Sequence, residues 1–156
     1  MQNSSTHHFG PEEISACLRL AQAALTEDLG RAGDITSRAL VSEHLQGSAQ
    51  FVARQRGVLA GLEAARILLA RVDETVVWDW KFRDGAMVEP GTPLARATGR
   101  LRSLLAGERV ALNFVQRLSG VATLTRRFVQ AITGLSCGIY DTRKTTPGWR
   151  ILEKYA

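Results

Sequence analysis

The sequence predicts an α+β protein in which a short antiparallel sheet packs on helices. Three observations predict it. Apolar residues recur at helical spacing in three segments, and brief runs rich in β-branched and aromatic residues are joined by Gly- and Pro-bearing turns. An apolar fraction of 45% with 22% charged residues is the balance of a folded chain with a packed core, which sets aside intrinsic disorder, collagen-like repeats and disulfide scaffolds. The 156 residues hold one domain comfortably and a second only in part, since domains run to roughly 100 to 200 residues.

Pro11 to Asp28 reads as a helix through Ile14, Leu18, Ala21, Leu25 and Leu29. Pro11 suits a first turn, Glu12 and Glu13 suit the positive helix end, and Gly30 stops it. Gly33 to Ser37 reads as a turn-rich connector in which Asp34 and Thr36 bond nearby backbone. Gln50 to Leu59 predicts a strand with a turn at Arg56-Gly57, and Gly61 to Val72 a short helix. Val76 to Phe82 predicts a second strand, Asp84-Gly85 and Pro90-Gly91 turns around Val88, and Leu94 to Thr98 a further strand. Ser103 to Thr133 is the longest periodic segment, one helix or two, with Ser119-Gly120 the place for a kink. Its apolar arc runs from Val110 to Ile132, while a narrow polar strip holds Arg109, Asn113, Gln116, Gly120, Thr123 and Arg127. Beyond Gly134 the sequence predicts a short apolar strand, Cys137 to Tyr140, a loop from Asp141 to Gly148, and a last helix from Trp149 to Ala156.

Lys+Arg exceed Asp+Glu by 20 to 15, and only Lys81, Lys144 and Lys154 of the bases are lysines. Arginine's planar fork fits carboxylate and phosphate, so the balance favours anionic partners without choosing among them. No apolar run approaches the roughly 18 residues of a membrane helix, and the stretch from Met1 to Gly10 is polar. A cytoplasmic protein without a membrane partner is expected. Cys17 and Cys137 lack any spacing for a metal or a disulfide and are expected to be buried reduced thiols. His7, His8 and His44 have no ligand spacing either, so no metal site is expected in the chain. Trp78, Trp80 and Trp149 are too scattered to stack bases and are expected to pack. Asp84 to Gly91 has the hairpin pattern of biotinyl and lipoyl carriers but lacks the lysine.

The chemistry concentrates in Asp141-Thr142-Arg143-Lys144-Thr145-Thr146-Pro147-Gly148. Two adjacent cations, three hydroxyls and several backbone N–H groups lie there between a strand and a helix N-terminus, a setting that binds anions. Arg143 can grip a carboxylate at two points, and Lys144 can reach a phosphate as a mobile charge. The alternative is a solvated basic loop in which Asp141 neutralises Arg143.

That loop, continuing through Trp149-Arg150 to Leu152-Glu153-Lys154-Tyr155-Ala156, resembles the signature of the quinolinate phosphoribosyltransferase family, the carboxylating nicotinate-nucleotide pyrophosphorylases. Two more stretches agree in the same order: Glu27-Asp28-Leu29-Gly30 with Gly33-Asp34-Ile35-Thr36-Ser37, and Glu108-Arg109-Val110-Ala111-Leu112-Asn113-Phe114 through Leu118-Ser119-Gly120-Val121-Ala122-Thr123.

The resemblance implies an N-terminal α/β sandwich over residues 1–134 and the start of an incomplete α/β barrel over 135–156. It implies phosphoribosyl transfer from phosphoribosyl pyrophosphate to quinolinate with decarboxylation, in a homodimer or higher even oligomer. Arg143 and Lys144 would be the catalytic grips, with Thr142 beside them, and Arg109 would bind quinolinate in the partner subunit's site. Mg would be the cofactor, its acidic ligands and a His-Arg pair lying beyond this chain's residues.

Length departs from the family, since a full eight-fold barrel takes about 250 residues. The expectation is therefore either the N-terminal part of a longer transferase, inactive alone, or a non-catalytic dimerisation or substrate-gripping module. A nucleic-acid binder rests on the basic balance alone, with no recognised motif, and no nucleic-acid partner is expected. Within the transferase reading, related enzymes acting on nicotinate or in a molybdenum-linked pathway are the alternatives.

Overall fold

A computed structural model describes residues 8–156; His7 and the polar stretch before it, read above for ligand spacing and for a leader, lie outside the described residues. The first helix, α1, spans Pro11–Leu29. The Glu13 carboxylate accepts from the N–H of Gly10 at 2.9 Å, and Gly30 ends the helix by donating to the carbonyl of Thr26 at 3.0 Å. Its buried face differs from the expected one. Ile14 and Leu18 are exposed, while Ala16, Cys17, Ala21 and Leu25 are buried. Small residues let α1 approach α3 (Leu62–Val72) closely, where Ala64 and Ala65 are fully buried and the Cys17 thiol meets the carbonyl of Ala64 at 3.7 Å.

The expected connector at Gly33 to Ser37 is instead the start of a helix, α2 (Ile35–Leu40). Asp34 caps it by accepting from the N–H of Ser37 at 2.9 Å, so the turn chemistry read from the sequence serves as an N-cap. The expected strand over Gln50 to Leu59 is two strands, β1 (Gln46–Val52) and β2 (Gly57–Val58), separated at Arg54 to Arg56. β3 (Val77–Trp80), β4 (Met87–Val88) and β5 (Pro93–Arg100) complete the set.

The strands are antiparallel, in the order β1-β5-β3, with β2-β4 as a separate pair. Ala95 and Ala97 of the central strand face Phe51 and Ala49 on one side and Trp80 and Trp78 on the other. Because those two central side chains are small, the aromatic rings of the outer strands meet over them: Phe51 to Trp78 at 5.4 Å and Trp78 to Trp80 at 5.1 Å between centroids. The tryptophans pack, as expected. β4 pairs with β2, so Asp84 to Gly91 is a crossing between two ladders and forms no carrier-type hairpin.

One unbroken helix, α4 (Leu101–Ala131), covers the sheet and α3. Gly107 is where it crosses α3: a Cβ there would collide with Leu69. The helix runs on through Ser119-Gly120 without a break. Ser119 and Thr123 instead satisfy the open edge of β2, accepting from the N–H of Ala60 at 3.0 Å and of Val58 at 2.9 Å. Part of the polar strip is thus internal to the fold, replacing a missing neighbour strand.

Residues 137–140 form no strand, which corrects the expectation for Cys137 to Tyr140. A strand needs a ladder partner, and no described strand pairs with them. Cys137 is accordingly exposed and not buried, whereas Cys17 is buried as expected. The final helix, α5 (Arg150–Tyr155), forms where the last helix was expected and buries Leu152 against the domain.

Candidate functional site

The loop from Asp141 to Gly148 has no regular secondary structure, yet both of its ends are tied down. Asp141 pairs with Lys154 of α5 at 2.6 Å, so it does not neutralise Arg143. At the other end Thr146 is gripped from two sides. Its N–H donates to Oε2 of Glu153 at 3.1 Å, and its hydroxyl accepts from Nη2 of Arg117 on α4 at 2.6 Å. Arg117 closes the ring by donating Nε to Oε1 of Glu153 at 3.1 Å, with a second, very short contact from Nη2. Burial pushes the Glu153 carboxyl up, but the bonds from Arg117 and Thr146 outweigh it and hold its pKa below the usual range. Trp149 anchors the start of α5 by packing on Phe114, ring centroids 4.7 Å apart.

Between these anchors lie Thr142, Arg143, Lys144 and Thr145, all but Thr145 exposed. The Thr142 hydroxyl accepts from the N–H of Lys144 at 3.1 Å, a local bond that turns the backbone. Thr145 accepts a long bond from Nε of Arg150 at 3.4 Å. The side chains of Arg143 and Lys144 have no protein partner among the described residues. Two neighbouring cations on an anchored turn suit a polyanion chemically, because part of the ordering cost of binding is already met by the fold.

Arg109 stands apart from this loop. It leaves the exposed side of α4, as its place on the polar strip predicts, and its Nη1 pairs with Asp28 at 2.5 Å. Asp28 sits in the last turn of α1, where the helix dipole disfavours an anion, so the arginine offsets a local electrostatic cost. Within this chain Arg109 is thus a surface arginine whose partner is Asp28 and not its neighbour Glu108. The loop touches α4 through Arg117, about two helical turns beyond Arg109.

Sequence reasoning missed Arg117, Thr146 and Glu153 as a unit, and it missed Asp84. Arg117 and Glu153 are 36 residues apart, and no periodicity links them. Asp84, read as a turn residue, also caps α3 by accepting from the N–H of Gly61 at 2.7 Å and of Leu62 at 3.1 Å.

A groove of about 780 Å³ runs between the β1-β2 segment and α4, lined among others by Phe51, Arg54, Leu59, Gln116, Thr123 and Arg127. None of Arg109, Thr142, Arg143 or Lys144 lines it, so it is separate from the expected site. For a metal the described residues fit poorly. No three His, Cys, Asp or Glu side chains among them converge, and the loop's carboxylate is occupied by Lys154. Among the described residues no side-chain cluster is therefore present to hold a resident Mg ion on protein ligands alone.

A helix-covered antiparallel sheet that leads into an anchored dicationic loop defines an α+β protein with two exposed neighbouring cations at its candidate site. Comparison with known proteins takes this further. Residues 34–119 match the quinolinate phosphoribosyl transferase N-terminal domain and residues 121–156 the C-terminal domain. The chain belongs to the quinolinate phosphoribosyl transferase family. It is 47% identical over 135 residues to the Probable nicotinate-nucleotide pyrophosphorylase (carboxylating) of Synechocystis sp., covering 86% of this chain and 45% of that one. It is 38% identical over 135 residues to quinolinate phosphoribosyltransferase (decarboxylating) 1b of Nicotiana tabacum, 86% of this chain and 38% of the relative. Among solved structures, NadC from Streptococcus pyogenes superposes with a TM-score of 0.88 at 36% identity, covering 96% of this chain and 52% of that one. The nicotinate-nucleotide pyrophosphorylase of Francisella tularensis gives 0.85 at 33% identity over 91% and 50%. The chain spans about half the length, or less, of these proteins.

Proposed function

We propose that this chain is the N-terminal part of an enzyme that transfers the phosphoribosyl group of phosphoribosyl pyrophosphate to quinolinate, releasing pyrophosphate and carbon dioxide and forming nicotinate mononucleotide. The observation that carries the reading is the anchored turn with Arg143 and Lys144 unpaired, in a chain of this family. The boundary between sandwich and barrel start lies, in this reading, after residue 134, just past the end of α4.

Quinolinate is a dianion. Arg143 can hold one carboxylate by a two-point grip, and Lys144 the second carboxylate or a phosphate of the donor, with the Thr142 hydroxyl adding a donor. So held, the ring nitrogen attacks the anomeric carbon, the bond to pyrophosphate breaks, and the leaving anion gains charge beside fixed cations. The carbon–carbon bond to the adjacent carboxylate then breaks, its electron pair staying on the ring carbon next to the cationic nitrogen until a proton replaces the carbon dioxide lost. Arg109 supplies a further carboxylate grip in the site of a second subunit of a dimer or higher even oligomer, and to do so it must exchange Asp28 for the substrate. Magnesium belongs, in this reading, with acidic residues of the remainder of the enzyme, and no step above passes through it. A cytoplasmic location goes with it; no described helix is long and apolar enough to cross a membrane.

The test is product formation by the longer polypeptide that carries this chain, with quinolinate and nicotinate offered separately. Quinolinate-dependent nicotinate mononucleotide is expected. Equal use of nicotinate overturns the substrate, and no product from either overturns the transferase in favour of a gripping or dimerisation module. The 156 residues alone are expected to show no turnover, because a partial constellation fixes only part of the geometry.

A further inference from the structure

We propose that Glu153 is a positioning residue, which together with Arg117 and Thr146 sets the conformation of the cation-bearing turn and keeps Arg117 from competing for its anion. The inference rests on the anion-gripping role of Arg143 and Lys144 and goes beyond it, since none of the three residues is among the grips.

The geometry assigns the parts. Glu153 uses both carboxylate oxygens: Oε1 takes Nε of Arg117 and Oε2 takes the N–H of Thr146. Its side chain is 9% exposed, whereas that of Arg117 is 49% exposed. Arg117 is thus a cation at the surface, three residues from Arg143's end of the turn through Thr146, whose charge is already matched. Thr146 lies two residues after Lys144, and Asp141-Lys154 fixes the opposite end. The span between these anchors is therefore 142–145, touched within only by the long bond from Arg150 to Thr145, and both of its ends are hung from α5. Left unanchored, each of these residues would lose backbone freedom on binding, and that loss would weaken it. With Glu153 made neutral as Gln, one of its two acceptor oxygens is replaced by an amide nitrogen that cannot accept and Arg117 loses its counter-charge, so the turn loosens while a third cation becomes available beside it.

Titration of the nitrogen-15-labelled 156-residue chain with quinolinate and, separately, with inorganic pyrophosphate tests this. In the parent, the amides of 142–146 should shift saturably while the Arg117 Nε–H resonance stays still, and the Arg143→Ala/Lys144→Ala variant should lose the response. In Glu153→Gln, binding should weaken roughly tenfold, the scale of one charge-assisted hydrogen bond, and the Arg117 Nε–H resonance should now move with the anion. Thr146→Ser should match the parent and Thr146→Val should weaken binding. Parent affinity in Glu153→Gln with a silent Arg117 overturns the positioning role and leaves the grips intact. A parent chain that binds neither anion, or an Arg143→Ala/Lys144→Ala variant that binds as the parent does, overturns the grips and the positioning role together. Should Glu153→Gln fail to fold, parent affinity in the exposed-loop variant Thr146→Val overturns the positioning role.

Discussion

The Tyr155 hydroxyl donates to Oδ2 of Asp84 at 2.9 Å across 71 residues of sequence. The same carboxylate closes the first turn of α3 through Gly61 and Leu62, so one half-buried acid joins the last helix to the start of a core helix. Gly61 makes this turn with φ +96°, a conformation that suits glycine, and a Cβ there would press on Leu118 at 2.9 Å. Phe9 packs edge-on against Tyr155 at 5.0 Å between centroids, completing the joint.

Tyr155→Phe should keep the ring packing and lose the hydrogen bond. A loss of about 1 kcal/mol in urea unfolding is expected, with local hydrogen exchange rising first at Gly61 and Leu62. An unchanged unfolding midpoint would assign the joint to ring packing alone.

Burial is the main influence on Asp84 and raises its pKa above the ordinary aspartate value, while the bonds from Gly61, Leu62 and Tyr155 pull it back in part. A carboxyl raised by folding contributes stability that is complete below its unfolded pKa and is lost as pH rises through its folded one. Asp84→Asn should therefore flatten that decline in stability above about pH 4. Unfolding curves collected across the acid range check the slope.

Asp73 has the opposite sign. Bonds from Arg100, Thr75 and Ser103 hold its buried carboxyl well below the usual range. Its contribution is present above the unfolded pKa of about 3.9 and is lost as pH falls. Asp73→Ala strands those donors where α3 ends and α4 begins, for an expected cost of about 1 to 3 kcal/mol at neutral pH. Thermal unfolding at pH 7 and pH 3 should show the parent and the variant converging in acid.

The two thiols should behave differently. Cys17 is fully buried and burial pushes its pKa up to about 12, while Cys137 is exposed. A soluble thiol reagent should modify Cys137 in the native chain and reach Cys17 only after unfolding. Prompt modification of both would contradict the packing of α1 on α3.

Local patterns were legible where periodicity and turn chemistry act within a few residues. The helices at Pro11, Gly61 and Ser103 and the antiparallel strands follow from such patterns, and so does the exposed position of Arg109. The misplaced features depend on partners far along the chain. Which face of α1 is buried follows the small residues of α3, and Ser119 and Thr123 beside Gly120 on α4 answer the N–H groups of Ala60 and Val58, 59 and 65 residues away in sequence. The strand expected at Cys137 has the right residues and no ladder to join. The loop cations were found because Arg143 and Lys144 are adjacent; their support was missed because Arg117 and Glu153 are not.

In the proposed function, Arg109 is the residue whose role reaches beyond its own chain. Its side chain is 74% exposed and its only ion pair among the described residues is with Asp28. In the longer enzyme, Arg109→Ala should leave the unfolding midpoint nearly unchanged and raise the quinolinate requirement by roughly tenfold or more, as expected for one lost charge-assisted grip. Steady-state kinetics against quinolinate at fixed donor concentration measure it.

The most direct measurement mixes two impaired variants of the proposed enzyme, Arg109→Ala and Arg143→Ala, and assays the reassorted oligomers for nicotinate mononucleotide at a quinolinate concentration too low for either variant alone. A mixed dimer carries one site that combines an intact Arg109 from one subunit with an intact Arg143 from the other. The account predicts activity well above either parent once subunit exchange is verified by mass. No recovery in exchanged dimers contradicts it and confines Arg109 to its own chain, as the partner of Asp28.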